Sequence, residues 1–219
     1  MTYSDDSKRQ RKLMHKAFGP SAIPPYHPLL QSGTVAFLRK LIQTPSDYVE
    51  HSHWYAGGFT LSVVFGYEPA PQEDKFLTMA TEWNDLFTNE ILSGGAVWLV
   101  DLIPVLRYLP TWFPGAGFKR KAAQCIIKTE EFASTPFEFA KNSVVSLHVI
   151  SRRQWPHFPA SCISQESGMF QPSFCSTLME DQEVTRQLAE DIKWTSSSMY
   201  AGSTDSVKPV LLIWILSFE

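Results

Sequence analysis

Apolar residues recur three and four positions apart in segment after segment of this chain, while the two-residue alternation of strands is scarce. That period belongs to helices with one buried face, so it commits the chain to a mainly α fold. A basic helix is expected over Asp5–Phe18, ended by Gly19-Pro20, and a second over Pro28–Ile42 with Leu30, Thr34, Phe37, Leu38 and Leu41 on one face. Thr44-Pro45-Ser46-Asp47 reads as a helix start with Thr44 as the cap and Pro45 in the first turn, and the helix it opens reaches Gly66. Further helices are expected over Gln72–Leu92, over Phe118–Leu147 with a kink or restart at Thr135-Pro136, and over Gln182–Ser206. Between Gly94 and Gly117, Pro104, Pro110 and Pro114 break an apolar stretch into a loop with short turns, whose Trp98, Trp112 and Phe113 require burial or a membrane.

Charge excludes several function classes. Nineteen Lys and Arg against 22 Asp and Glu give a formal charge of −3, which does not suit a nucleic-acid binder dependent on phosphate neutralisation. Cys125, Cys162 and Cys175 are an odd number without a C-x-x-C pair, so neither a disulfide scaffold nor structural zinc is expected. Residues 1–16 are polar, and the apolar runs 94–106 and 209–218 fall short of the ~20 residues of a membrane span. No anchor or signal peptide is expected, which places the chain in the cytoplasm, or leaves it unstable, when expressed alone.

The common catalytic patterns are absent. G-x-S-x-G and H-E-x-x-H do not occur, and Gly115-Ala116-Gly117 ahead of Lys119-Arg120-Lys121 lacks the phosphate-loop spacing. His51 and His53, two apart on a helix, point about 200° apart and are not expected to share a metal, so no metal ligands are assigned. The informative stretch is Trp194–Ser206, where Thr195 to Ser198, Ala201 and Gly202 offer a flat small-residue face suited to a large planar group. Asp205-Ser206 then sets an acid beside a hydroxyl, a pair able to relay a proton; helix packing with a capping Asp is the alternative.

The order of segments resembles the middle of a fungal microsomal cytochrome P-450, from its C helix to its oxygen-binding I helix. The phrases that carry the resemblance are residues 11–18 (RKLMHKAF), 100–104 (VDLIP), 109–119 (LPTWFPGAGFK) and 172–174 (PSF). The family's I-helix pattern, [AG]-G-x-[DE]-T-[TS], falls on Gly202–Val207, with Asp205 as the acid, Ser206 in place of the usual threonine, Ser203 in place of the second glycine and Val207 in place of the last hydroxyl. The C-helix pattern W-x-x-x-R falls on Ser7–Arg11 without its tryptophan.

The resemblance implies a partial cytochrome P-450 fold covering 1–219 as a single domain, mainly α, without the anchor, most of the sheet or the haem-thiolate loop. It implies haem as cofactor, with Arg11 pairing with a propionate and Gly202 beside the ring, and catalytic roles for Asp205 and Ser206 in proton delivery. Ile91, Leu92, Ser198 and Ala201 would line a pocket for an apolar small molecule. The family is a haem-dependent monooxygenase of the endoplasmic reticulum membrane, often in fungal secondary metabolism. It takes electrons from an NADPH cytochrome reductase, here facing Lys8, Arg9 and Lys12, and touches the membrane surface through residues 94–118. No F-x-x-G-x-x-x-C-x-G loop occurs in the sequence, so the chain is expected to be an internal, truncated form, inactive alone. Residues 150–164 are expected to be an insertion or retained intron and 207–219 a tail foreign to the family. The alternative is a non-haem helical protein that binds lipid or a membrane surface.

Overall fold

The computed structural model describes residues 4–20, 22–70, 73–88, 99–113, 116–154, 173–180 and 184–216, and all regular structure among them is helical. The first helix, α1 (Asp5–Phe18), starts where the Ser4 hydroxyl accepts the Ser7 N–H and places Asp5 and Asp6 in its first turn and His15 and Lys16 in its last, each complementing the helix dipole. It is followed by α2 (His27–Gln43) and α3 (Tyr48–Phe65). Between these two, the expected Thr44 cap is not made: Pro45–Asp47 form a short 3₁₀ turn, and the Thr44 hydroxyl lies 2.6 Å from His51 Nε2. Gly66 ends α3 in the left-handed region at φ 71°, a conformation that costs glycine little.

The next helix, α4 (Lys75–Asp85), starts three residues later than the periodicity predicts and passes into a π-helical turn over 86–88, and the rest of the expected span, 89–92, lies outside the described residues. Its cap is Asp74, whose Oδ1 accepts the Phe76 and Leu77 N–H groups at 2.9 and 3.1 Å and whose Oδ2 accepts the Ala70 N–H and the Tyr67 hydroxyl, both at 2.8 Å. Four donors and the positive end of a helix compensate a carboxylate that is only 4% exposed. The extended strap Gly66–Ala70 is thereby held against α3, with Trp54 Nε1 donating to the Ala70 carbonyl at 2.8 Å. Gly58 admits the strap, since a Cβ there would stand 2.8 Å from Pro69 Cγ.

The proline-broken segment folds as expected into the short α5 (Leu99–Leu102) and a 3₁₀ turn at Pro104–Tyr108. Helix α6 (Gly117–Gln154) runs unbroken through Pro136, so the expected restart is absent, and residues 150–154 continue it. The chain then forms α7 (Phe174–Glu180) and α8 (Arg186–Leu216). That last helix starts four residues later than expected and continues ten past Ser206, across positions 207–216.

The core sits where α3, α4, α6 and α8 meet, and α3 packs chiefly on α8. Tyr200 of α8, fully buried, stacks on Phe132 of α6 at 5.3 Å, meets Phe65 of α3 edge-on at 6.1 Å and donates its hydroxyl to the Phe76 carbonyl of α4 at 3.1 Å. Trp83 stacks on the other neighbour of that row, 4.6 Å from Phe132, and Tyr67 stands edge-on to Phe76 and Phe139. These offset and edge geometries are the favoured ones for aromatic pairs.

Because Asp74 serves a helix cap and a loop together, Asp74→Ala is expected to cost about 2–3 kcal/mol of stability, from the lost cap and the stranded Tyr67 hydroxyl. Asp74→Asn, which keeps one accepting oxygen, should lose less than half of that. Urea unfolding of both variants followed by circular dichroism checks the order.

Candidate functional site

The small-residue stretch of α8 changes along its length, from a buried turn to a more exposed one. Thr195, Ser196 and Ser197 are buried, and their hydroxyls are satisfied within the helix: Thr195 donates to the Asp191 carbonyl, and Ser196 and Ser197 donate to that of Lys193. That turn is therefore part of the helix packing and not open to a planar group, which corrects half of the flat-face expectation. Small side chains at a helix interface allow backbones to approach closely, and back-bonded hydroxyls carry no unmet donor into the core.

The turn that follows is more exposed. Ser198 is exposed and donates to the Trp194 carbonyl at 2.8 Å, Ala201 is half-buried against the core, and Gly202 is exposed with no described residue beyond its own stretch of helix within 4 Å of where its Cβ would be. Three and four residues on, positions 205 and 206 return to that side of the helix. Asp205 and Ser206 lie within α8, but their side chains fall outside the described part of the structure. Ile91 and Leu92 fall outside the described residues altogether.

Arg11 is exposed on α1. It is Arg9, two positions earlier, that reaches α8: its Nε donates to Asp191 Oδ2 at 2.7 Å and its Nη2 to Asp6 Oδ1. Asp191 is buried and also accepts from Gln187 Nε2 at 3.2 Å. The hydrogen bond to Asp191, and then that to Asp6, holds the guanidinium well above its ordinary range, so it stays charged. The sequence signal for this tie was an acid on the inward face Leu188, Asp191, Ile192, Thr195, a position where a charge requires a partner. Along α8 the tie sits eleven residues before Gly202, about 16 Å at 1.5 Å per residue.

His51 bonds Thr44 and His53 lies 3.3 Å from the Thr81 hydroxyl. Among the described residues no group of His, Cys, Asp and Glu is placed to hold a metal. The described thiols are Cys125, half-buried on α6, and Cys175, fully buried on α7. Burial pushes the Cys175 thiol up to about 12, against the weaker opposing effect of its hydrogen bond with Ser196. A thiol so disposed stays protonated and is unsuited to ligate iron. Cys162 falls outside the described residues. The apolar loop is open to solvent: Leu102 is 66%, Val105 71%, Tyr108 72% and Trp112 77% exposed.

Comparison with known proteins gives this arrangement a context. The chain is 27% identical over 98% of its length to the cytochrome P450 monooxygenase claT of Ampulloclitocybe clavipes. It is 27% identical over 93% to the cytochrome P450 monooxygenase ppsD of Aspergillus oryzae, and 29% identical over 98% to claR of Ampulloclitocybe clavipes. The chain is similar to fungal cytochrome P450 monooxygenases. It spans 38%, 35% and 36% of the length of those three relatives. The likeness runs almost end to end in this cytochrome P450-like chain and agrees with its wholly helical described part. No protein-family model and no solved structure matches it. No described helix is long and apolar enough to cross a membrane.

Two outcomes follow. Arg9→Ala strands the buried Asp191 carboxylate and is expected to lower the urea midpoint clearly more than Asp6→Ala, which removes only an exposed pair. Alkaline pH should also destabilise the fold. Cys175 moves from an ordinary 9.0 to about 12, and Tyr67, raised by burial and by its bond to Asp74, from 10.0 to about 12. Both ionise first in the unfolded chain, so stability is complete below pH ~9 and falls as pH rises toward 12. Thermal melts between those limits should show the fall, and Cys175→Ala should flatten it.

Proposed function

We propose that the chain supplies the oxygen-side helical portion of a haem monooxygenase, with α8 as the helix that lies along one face of the haem. The observation that carries this reading is the exposed position of Gly202, where no described residue of another element occupies the space a side chain would fill, joined to the sequence likeness just described. A planar group fits against such a position. Cys175, buried and protonated, does not fit the axial position.

The residues of the chain have roles of their own in this reading. Gly202 leaves room beside the helix, Ser198 and Ala201 border that room, and Asp205 and Ser206 hold and pass a proton between a carboxyl and a hydroxyl. Arg11 offers a fixed guanidinium to a propionate, and Ile91 and Leu92 contribute to an apolar wall. The substrate is an apolar small molecule, and electrons come from an NADPH-dependent reductase docked on the basic side of α1. The exposed Leu102, Val105, Tyr108 and Trp112 rest on the surface of the endoplasmic reticulum membrane, which accounts for so much apolar area in water.

Haemin titrated into the purified chain, with imidazole added as the axial ligand, should bind one to one. Gly202→Leu, which fills the exposed position without touching a packed residue, should weaken that binding by about tenfold or more while helicity is unchanged. Equal affinity in the variant, or binding that never saturates, overturns the reading. A thiolate-type band in the reduced carbon monoxide difference spectrum that survives Cys162→Ala would show that Cys125 or Cys175 can serve as ligand after all. Separately, Trp112→Ser should reduce partitioning onto liposomes of endoplasmic-reticulum composition in a flotation assay.

A further inference from the structure

Two Thr-Pro dipeptides occur in the sequence, Thr44-Pro45 and Thr135-Pro136, and no Ser-Pro. The structure treats them in opposite ways. Thr135 lies within α6, its hydroxyl donates to the Glu131 carbonyl at 2.8 Å, and Pro136 is fully buried. Thr44 stands between α2 and α3 in the run 42–47, where every residue is exposed. Its backbone is outside the helical region, at φ −136° and ψ 76°, as a residue before proline is steered. The short turn Pro45–Asp47 that follows is closed by the Asp47 N–H donating to the Thr44 carbonyl at 3.2 Å, and an exposed 3₁₀ turn of this length opens at little cost.

The Thr44 hydroxyl does no capping. No side chain caps the Pro45–Asp47 turn or the start of α3. His51 Nε2 lies 2.6 Å from the Thr44 hydroxyl and 3.1 Å from its carbonyl. The pair borders a cavity of about 650 Å³, whose charged and titratable groups are Lys40, His51 and His53 against Asp47, Glu50, Glu73 and Asp74. Asp74 is engaged with its four donors, and Lys40 lies over the Trp54 ring, 3.7 Å from its centre. So acidic a lining repels a free anion. A negative group tethered to Thr44 is held there by its bond, meets His51 at once, and supplies the charge that the uncapped positive end of α3 favours.

We infer that Thr44 is a phosphorylation site for an ATP-dependent protein kinase that requires proline after its acceptor, with His51 as the partner of the phosphate. Such a kinase reads a residue of fixed φ without an amide hydrogen. The γ-phosphoryl group of magnesium–ATP passes to Thr44 Oγ1: a P–O bond to Oγ1 forms, the bond from the γ-phosphorus to the bridging oxygen breaks, ADP leaves with that electron pair, and the hydroxyl proton goes to the base of the kinase. The site lies apart from Gly202 and from the basic side of α1, and it does not depend on the haem reading.

Incubation of the whole chain with magnesium–ATP and a mitogen-activated protein kinase, with the phosphate mapped by tandem mass spectrometry, tests this. One phosphate per chain is expected, on Thr44. Thr44→Ser should keep it, Thr44→Val should abolish it, and Pro45→Ala should slow it by about tenfold or more, with helicity unchanged in all three because both positions are exposed. In the phosphorylated chain the second ionisation of the phosphate, followed by phosphorus NMR, should come at lower pH than in the phosphorylated His51→Gln variant, because an imidazolium favours the dianion. No incorporation, phosphate on Ser46 or Thr135 instead, or an equal rate in Pro45→Ala would each overturn the site. An identical phosphate titration in His51→Gln would overturn the role of His51.

Discussion

Burying the hydroxyl-rich turn Thr195–Ser197 is possible only because each of its side chains donates to a carbonyl of its own helix. The rest of the fold depends on that local settlement. With no unmet donor in that turn, α8 can pack closely on its neighbours, chiefly on α3, itself buried from Ala56 to Gly58 and again from Thr60 to Phe65. The two helices form an axle, and α1, α4, α6 and α7 pack around it. A larger side chain at any of these hydroxyl positions would push the axle apart, whereas a hydroxyl of the same size without its carbonyl would bring an unmet donor into the core.

Two buried carboxylates then fix what surrounds the axle, by different means. Asp74 is compensated mostly by backbone N–H groups and a hydroxyl, and it locks a helix start to a strap. Asp191 is compensated by a guanidinium from another helix, and it sets where α1 lies on α8. The first arrangement is short-range in sequence and the second joins residues 182 positions apart. A charge brought in from so far away makes the position of α1 a property of the finished fold and not of its local sequence.

Much of this was legible in the residues. The helix period located α1, α2 and α3 to within a few residues and the start of α6 to within one, while α6 runs seven residues past its expected end, and Gly66 marked its helix end by the conformation it allows. Boundaries failed where two signals competed. Thr44-Pro45 had the composition of a cap, yet the capping carboxylate that mattered was Asp74, whose use rests on a strap that only tertiary structure brings close. The end of α8 was set at Ser206 from the change in sequence pattern, but helix formation follows backbone propensity and packing and continued regardless. At the candidate site, the small residues read as one flat face for a planar group, and the structure buries the first turn of them, Thr195–Ser197. Where along α8 the neighbouring helices stop covering it is set by tertiary packing, which the sequence period does not carry. The tie of Arg9 to Asp191 was visible only as an acid among apolar neighbours.

The extension of α8 beyond Ser206 has a consequence of its own. The helix includes Pro209, a residue without an amide hydrogen, so the carbonyl four positions earlier cannot receive the bond that every other turn supplies. That carbonyl belongs to Asp205. The main chain thus offers a backbone acceptor of its own in that turn of α8.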